Sequence, residues 1–73
     1  MEELDARGLR CPLPVLKARK RLKFLDAGAQ LRVLADDPAA VIDVPHFCSE
    51  QGHVLESQGQ EDEALVFVIR KGD

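Results

Sequence analysis

The stretch "RGLRCPLPVLKARKRL", residues 7–22, sets the architecture of the chain. Gly8 ends a short, weakly alternating stretch over residues 4–7 that reads as a first strand. Pro12 suits the first position of a helix, and the helical pattern then runs to about Leu25, with Gly28 closing it. Val15, Ala18, Leu22 and Leu25 recur at helical spacing and form a narrow apolar stripe for packing on a sheet. The stretch is therefore a strand-to-helix step, and the rest of the chain extends the same alternation.

Residues 31–35 alternate and read as a second strand. In "DDPAAVIDVPHFCSEQG", Asp37 is a good N-cap, Pro38 fits the first helical position, and Gly52 fits the C-terminal cap. Pro45 falls inside this second helix and is expected to kink it or split it. Residues 54–57 read as a third strand, with Gly59 near the turn and solvated charge over residues 61–63. "ALVFVIR", residues 64–70, is mostly β-branched or aromatic and is the strongest strand of the chain. The order β-α-β-α-β-β predicts an α/β (α+β) two-layer sandwich, with a four-stranded mixed sheet and two helices on one face.

At 73 residues the chain is expected to form one domain, residues 1–73, with one small core. Its net charge is −3, yet eight of its ten basic residues lie between Arg7 and Arg32, where Asp26 is the single acid. This is a charge dipole across one fold rather than the footprint of a general nucleic-acid binder. The absence of Trp and Tyr argues further against direct nucleic-acid binding, because base stacking lacks a platform. No apolar run is long enough to span a membrane. The opening "MEELDARG" is acidic and polar, unlike a signal peptide. Two cysteines are too few for a disulfide framework, so a reducing cytoplasm is the expected location.

Cys11 is the candidate reactive residue. Its place beside Pro12 puts it at or near the N-cap, where orphan N–H groups and the helix dipole favour a negative group. Pro12 and Pro14 remove two of those donors and stiffen the loop, leaving the Leu13 N–H to point at the cap. Arg7 and Arg10 add positive charge. Such surroundings bring a cysteine from about 8.5 to roughly 3.5–7.5, so thiolate becomes a major species. The plainer alternative is a small buried hydrophobe, but flanking arginines do not suit a core site. No second cysteine completes a C-x-x-C pair, which argues against dithiol chemistry. A lone exposed thiolate on a small scaffold suits a group carrier better than a true catalyst.

"LDARGLRCPLPVLKARKRL" resembles the Cys-Pro-x-Pro signature of the TusA/SirA-like sulfur-carrier family, and the likeness continues through "ADDPAAVIDVPHFC" to "VFVIRKGD". The resemblance implies the same two-layer sandwich. It implies that Cys11 carries a persulfide sulfur accepted from a cysteine desulfurase and passed to a cysteine of a downstream relay protein. In the tRNA branch the product is wobble-position 2-thiouridine, and "PHFC" looks most like that branch. Sulfur oxidation and molybdenum-cofactor supply are other branches. No cofactor is implied beyond the covalent sulfur. A small RNA-binding module and a thiol redox regulator stay open as alternatives.

The first helix also presents a candidate docking face. Lys17, Lys20 and Arg21 lie opposite the apolar stripe, and Phe24 among them suggests an anchor for a partner with an acidic surface. Failing that, the helix frays before Phe24, which then folds onto the core. Cys48 falls in line with Val41 and Val44 and reads as a core thiol. His46, Cys48 and His53 lack the paired spacing of a zinc site, so no metal is expected. Asp36, Asp37 and Asp43 read as caps and solvated charge, and the chain as a monomer.

Overall fold

The computed structural model describes residues 1–72. Its elements are β1 (Glu2–Asp5), α1 (Leu13–Leu22), β2 (Gln30–Ala35), α2 (Ala40–Gln51), β3 (Val54–Glu61) and β4 (Ala64–Arg70). The sheet order is β1-β2-β4-β3, with β1 parallel to β2 and both other pairings antiparallel. A parallel pair needs a crossover, and α1 supplies it. The second crossover, α2, leaves room for β4 to slot between β2 and β3.

The central place of β4 follows from its composition. Phe67 and Ile69 are completely buried on one face, opposite Val33 and Leu31 of β2. They meet Ala18 and Leu22 of α1 and Ala40, Val44, Phe47 and Cys48 of α2 in one core, so both helices cover the same face. The expected α+β sandwich is therefore the observed one. On the open face Arg32 reaches Glu3 and Glu61, each at 2.6 Å, across the sheet.

Several element limits differ from those expected. The first strand is Glu2–Asp5 rather than residues 4–7, because its register is set by pairing with β2 from Glu2↔Leu31 onward. The α1 helix stops at Leu22 instead of Leu25, and tight bonds from Phe24 N–H to the Arg21 carbonyl and from Leu25 N–H to the Leu22 carbonyl turn the chain. Lys71 donates its ammonium to the Leu25 carbonyl and clamps that turn against the end of β4. Its stripe is correspondingly narrower. Pro14, Ala18 and Leu22 are buried, while Val15 and Leu25 are half-buried.

Pro45 does not split α2, which is continuous over Ala40–Gln51. The missing N–H deprives only the carbonyl one turn back, that of Val41, a residue 42% exposed, where water can serve instead. The third strand runs to Glu61, with Gly59 inside it and a bulge between Leu55 and Ser57. Nearly all of β3 is exposed, and pairing with β4 overrides its poor strand composition. The turn itself holds Asp62 at φ 54, a conformation that Asp tolerates better than most residues. Gly52 ends α2 at φ 74, and the N–H of His53 donates to the Cys48 carbonyl.

Candidate functional site

Because β1 and β2 are parallel, the loops that follow them emerge at the same end of the sheet. One carries Gly8 to Pro12; the other carries Asp36, Asp37 and Pro38. Two carboxylates join them. The Gly8 N–H donates to Asp36 Oδ1 at 2.9 Å and Oδ2 at 3.0 Å. The Cys11 N–H donates to Asp37 Oδ2 at 2.7 Å, while the other oxygen of Asp37 accepts from the Ala39 N–H at 3.0 Å. Asp37 is not the N-cap of α2, which starts at Ala40 with Ala39 in that place, but it caps the turn before the helix and holds the Cys11 backbone at the same time. These two N–H groups hold its carboxyl below the ordinary value, and the charge of Arg10 adds to them. The sequence reading assigned Asp37 only the cap, because nothing local says which loop lies across from it.

Cys11 is exposed and free, and Cys48 is buried and free. The thiol does not sit at the N-cap as expected. That place is held by Pro12, without a side-chain cap, and α1 starts at Leu13. The Leu13 N–H donates to the Arg10 carbonyl at 2.8 Å instead of to the sulfur. The Cys11–Pro12 peptide bond is cis. Pro14 packs inward, whereas Pro12 faces a groove beside the sulfur.

The expected cationic surroundings are also absent at the sulfur. Arg7 turns back to Asp5, through Nε at 2.9 Å and Nη2 at 2.8 Å, and holds that carboxyl at about 2. The charge of Arg10 acts on the Asp37 carboxylate. The group against the thiol is Asp43 of α2. The nearby Asp43 carboxylate, with some loss of solvent and the charge of Asp37, pushes the Cys11 thiol above its ordinary value. The expected depression of its pKa is therefore reversed. The reason is tertiary: the packing of α2 beside α1 puts a carboxylate where the local sequence offered only arginines.

Cys11 lines a groove of about 280 Å³ between α1 and α2. Val15, Leu16 and Arg19 form one wall, and Asp43, His46 and Phe47 form the other. His46, in that wall, is engaged by Glu50 at 3.1 Å, and His53 accepts the Gly72 N–H at Nδ1 and lies tilted against Phe47, outside the groove.

The residues expected on a docking face are differently placed from one another. Arg21 is held by Glu2 at 2.8 Å and by the Glu3 carbonyl, so it belongs to the contact between α1 and β1. Lys17 and Lys20 are exposed and make no ion pair among the described residues. Phe24 lies beyond the helix end and stays 79% exposed rather than folding onto the core. A shallow depression gathers it with Leu16, Arg19, Lys20 and Lys23. The sequence reading set Phe24 among Lys17, Lys20 and Arg21 because it carried the helix on to about Leu25, past its actual end at Leu22.

Among the described residues no helix is long and apolar enough to cross a membrane. Comparison with known proteins agrees with the fold. The solved structure of a SirA-like protein from Desulfitobacterium hafniense is similar at 27% identity, with all of both chains covered and a TM-score of 0.84. The family model described as "Sulfurtransferase TusA" matches residues 2–71, almost the whole chain, and the protein belongs to that family.

Proposed function

We propose that this chain is a persulfide carrier whose cargo sulfur rides on Cys11. The observation that carries the reading is the contrast between the two cysteines: Cys11 is exposed on a loop held by Asp36 and Asp37, and Cys48 is enclosed in the core. An exposed thiol on a braced loop can reach a partner's sulfur, whereas a thiol in the core cannot. Membership in the sulfurtransferase family supports the same assignment.

In loading, the Cys11 sulfur attacks the outer sulfur of a cysteine desulfurase persulfide. A new S–S bond forms, the donor S–S bond breaks, and the Cys11 proton ends on the departing donor thiol. No net oxidation occurs. In delivery, a cysteine of a downstream relay protein attacks the terminal sulfur in the same way and regenerates the Cys11 thiol. We assign the final product to tRNA wobble-uridine 2-thiolation, on the likeness of the "PHFC" stretch, and the location to the cytoplasm, where both thiols stay reduced. Leu16, Arg19, Lys20, Lys23 and Phe24 form the surface on which an acidic partner docks.

Intact mass after incubation with a cysteine desulfurase and cysteine tests the reading. A gain of about 32 Da that reductant removes, and that Cys11→Ser abolishes, is the expected result. Loading that survives Cys11→Ser overturns it.

A further inference from the structure

The geometry points to Asp43 as the residue that controls the proton on Cys11, holding the nucleophile as a thiol while the carrier is free. The inference rests on the carrier reading for its purpose but not for its test.

Asp43 stands in the first turn of α2 and is half-buried in the wall of the groove that Cys11 also lines. It makes no ion pair among the described residues, so its charge is not spent elsewhere. Most of the other charged groups around the sulfur are engaged elsewhere, Arg19 being the exception among the described residues. On the loop of Cys11, Arg7 is paired with Asp5, and Arg10 sits by Asp37. On the loop before α2, Asp37 adds a second negative charge and spends its oxygens on two N–H groups. On α1, Arg19 lines the groove, and on α2 His46 and Glu50 are engaged with each other.

The elements packed around the sulfur thus present one uncommitted carboxylate. A carboxylate close to a thiol repels the thiolate and so favours the protonated sulfur. Reactive cysteines of other proteins are surrounded by cations instead. Thiolate is the form that small electrophiles and oxidants attack, so Asp43 shields the exposed sulfur between encounters with its partners.

The test is alkylation of the purified full chain by iodoacetamide across a pH series from neutral to alkaline. Asp43→Asn should move the midpoint of the rate profile to lower pH and raise the neutral-pH rate several-fold. Asp43→Glu, which restores the charge, should move it back up. Glu50→Gln, in the same groove but paired with His46, should leave it in place. A midpoint for Asp43→Asn that is unchanged or higher overturns the inference. Should that variant fail to fold, carbon NMR of the unmodified chain decides. The Asp43 carboxyl carbon should register the same alkaline inflection as the Cys11 Cβ, and its silence there overturns the inference equally. Iodoacetamide needs no sulfur donor, so failure of the unmodified chain to gain sulfur counts against the carrier reading alone.

Discussion

The backbone N–H of Cys11 donates to Asp37 Oδ2 at 2.7 Å, across 26 residues of sequence. A single carboxylate therefore braces the reactive loop and caps the turn into α2. Asp37→Ala removes both acceptors. Amide hydrogen exchange at Cys11 and Ala39 should accelerate together, while exchange in β2 and β4 should not. The carboxyl is held below its ordinary value of 3.8, so its contribution is present above that value. It is lost as pH falls through the depressed one. If the Cys11 amide exchanges at its normal rate in the variant, the brace is not made in solution.

Phe24, on the proposed docking surface, and Phe67, in the core, allow docking and folding to be tested separately. Phe67 is fully buried at the centre of the sheet, so Phe67→Ala should destabilise the fold by about 3–5 kcal/mol in denaturant titration. Phe24 is 79% exposed, so Phe24→Ala should change stability by about 0.5 kcal/mol at most. That variant should nevertheless slow sulfur transfer. Reversing Lys17 and Lys20 to Glu should slow it too, mainly through association, and added salt should slow the unmodified protein similarly. Normal transfer rates in both variants at low salt would leave α1 a solvated face.

Cys48 is 2% exposed, and burial raises its thiol above the ordinary value. Cys48→Ala should keep the full sulfur loading seen by mass. Cys48→Ser should load as well, but it places a hydroxyl among apolar side chains and should lose about 1–3 kcal/mol of stability. Loss of loading in Cys48→Ala would give this thiol a part in the chemistry.

His53 makes the fold sensitive to mild acid. Its Nδ1 accepts the Gly72 N–H at 3.0 Å, which requires the neutral ring. Burial and the Lys71 charge hold its pKa below the ordinary 6.5. The unfolded chain therefore binds the proton more readily. The stabilisation is complete above 6.5 and is lost as pH falls through the depressed folded value. Melting temperature should drop over that interval, and His53→Gln should flatten the drop. An equally steep fall in the variant would assign the acid sensitivity to other groups.

The sequence by itself determined the elements whose signals are local. Pro12 after Gly8, the stripe through Ala18 and Leu22, and the β-branched run of β4 specify α1 and the central strand without reference to partners. The Cys-Pro-x-Pro signature likewise singles out Cys11. Tertiary structure decided what depends on which surfaces meet. Pairing with β4 carries β3 through Gly59 to Glu61, against its composition. The clamp of Lys71 on the Leu25 carbonyl meets the chain where α1 ends early and leaves Phe24 outside the helix. Glu2 takes Arg21 away from the docking face, and Asp5 takes Arg7 away from the sulfur. Most of all, the charge at Cys11 comes from Asp43, which is remote in sequence and adjacent only because α2 packs beside α1. A local reading counts the charges that neighbour a residue along the chain. Electrostatics acts through space, so the sign of the field at the sulfur was settled by packing.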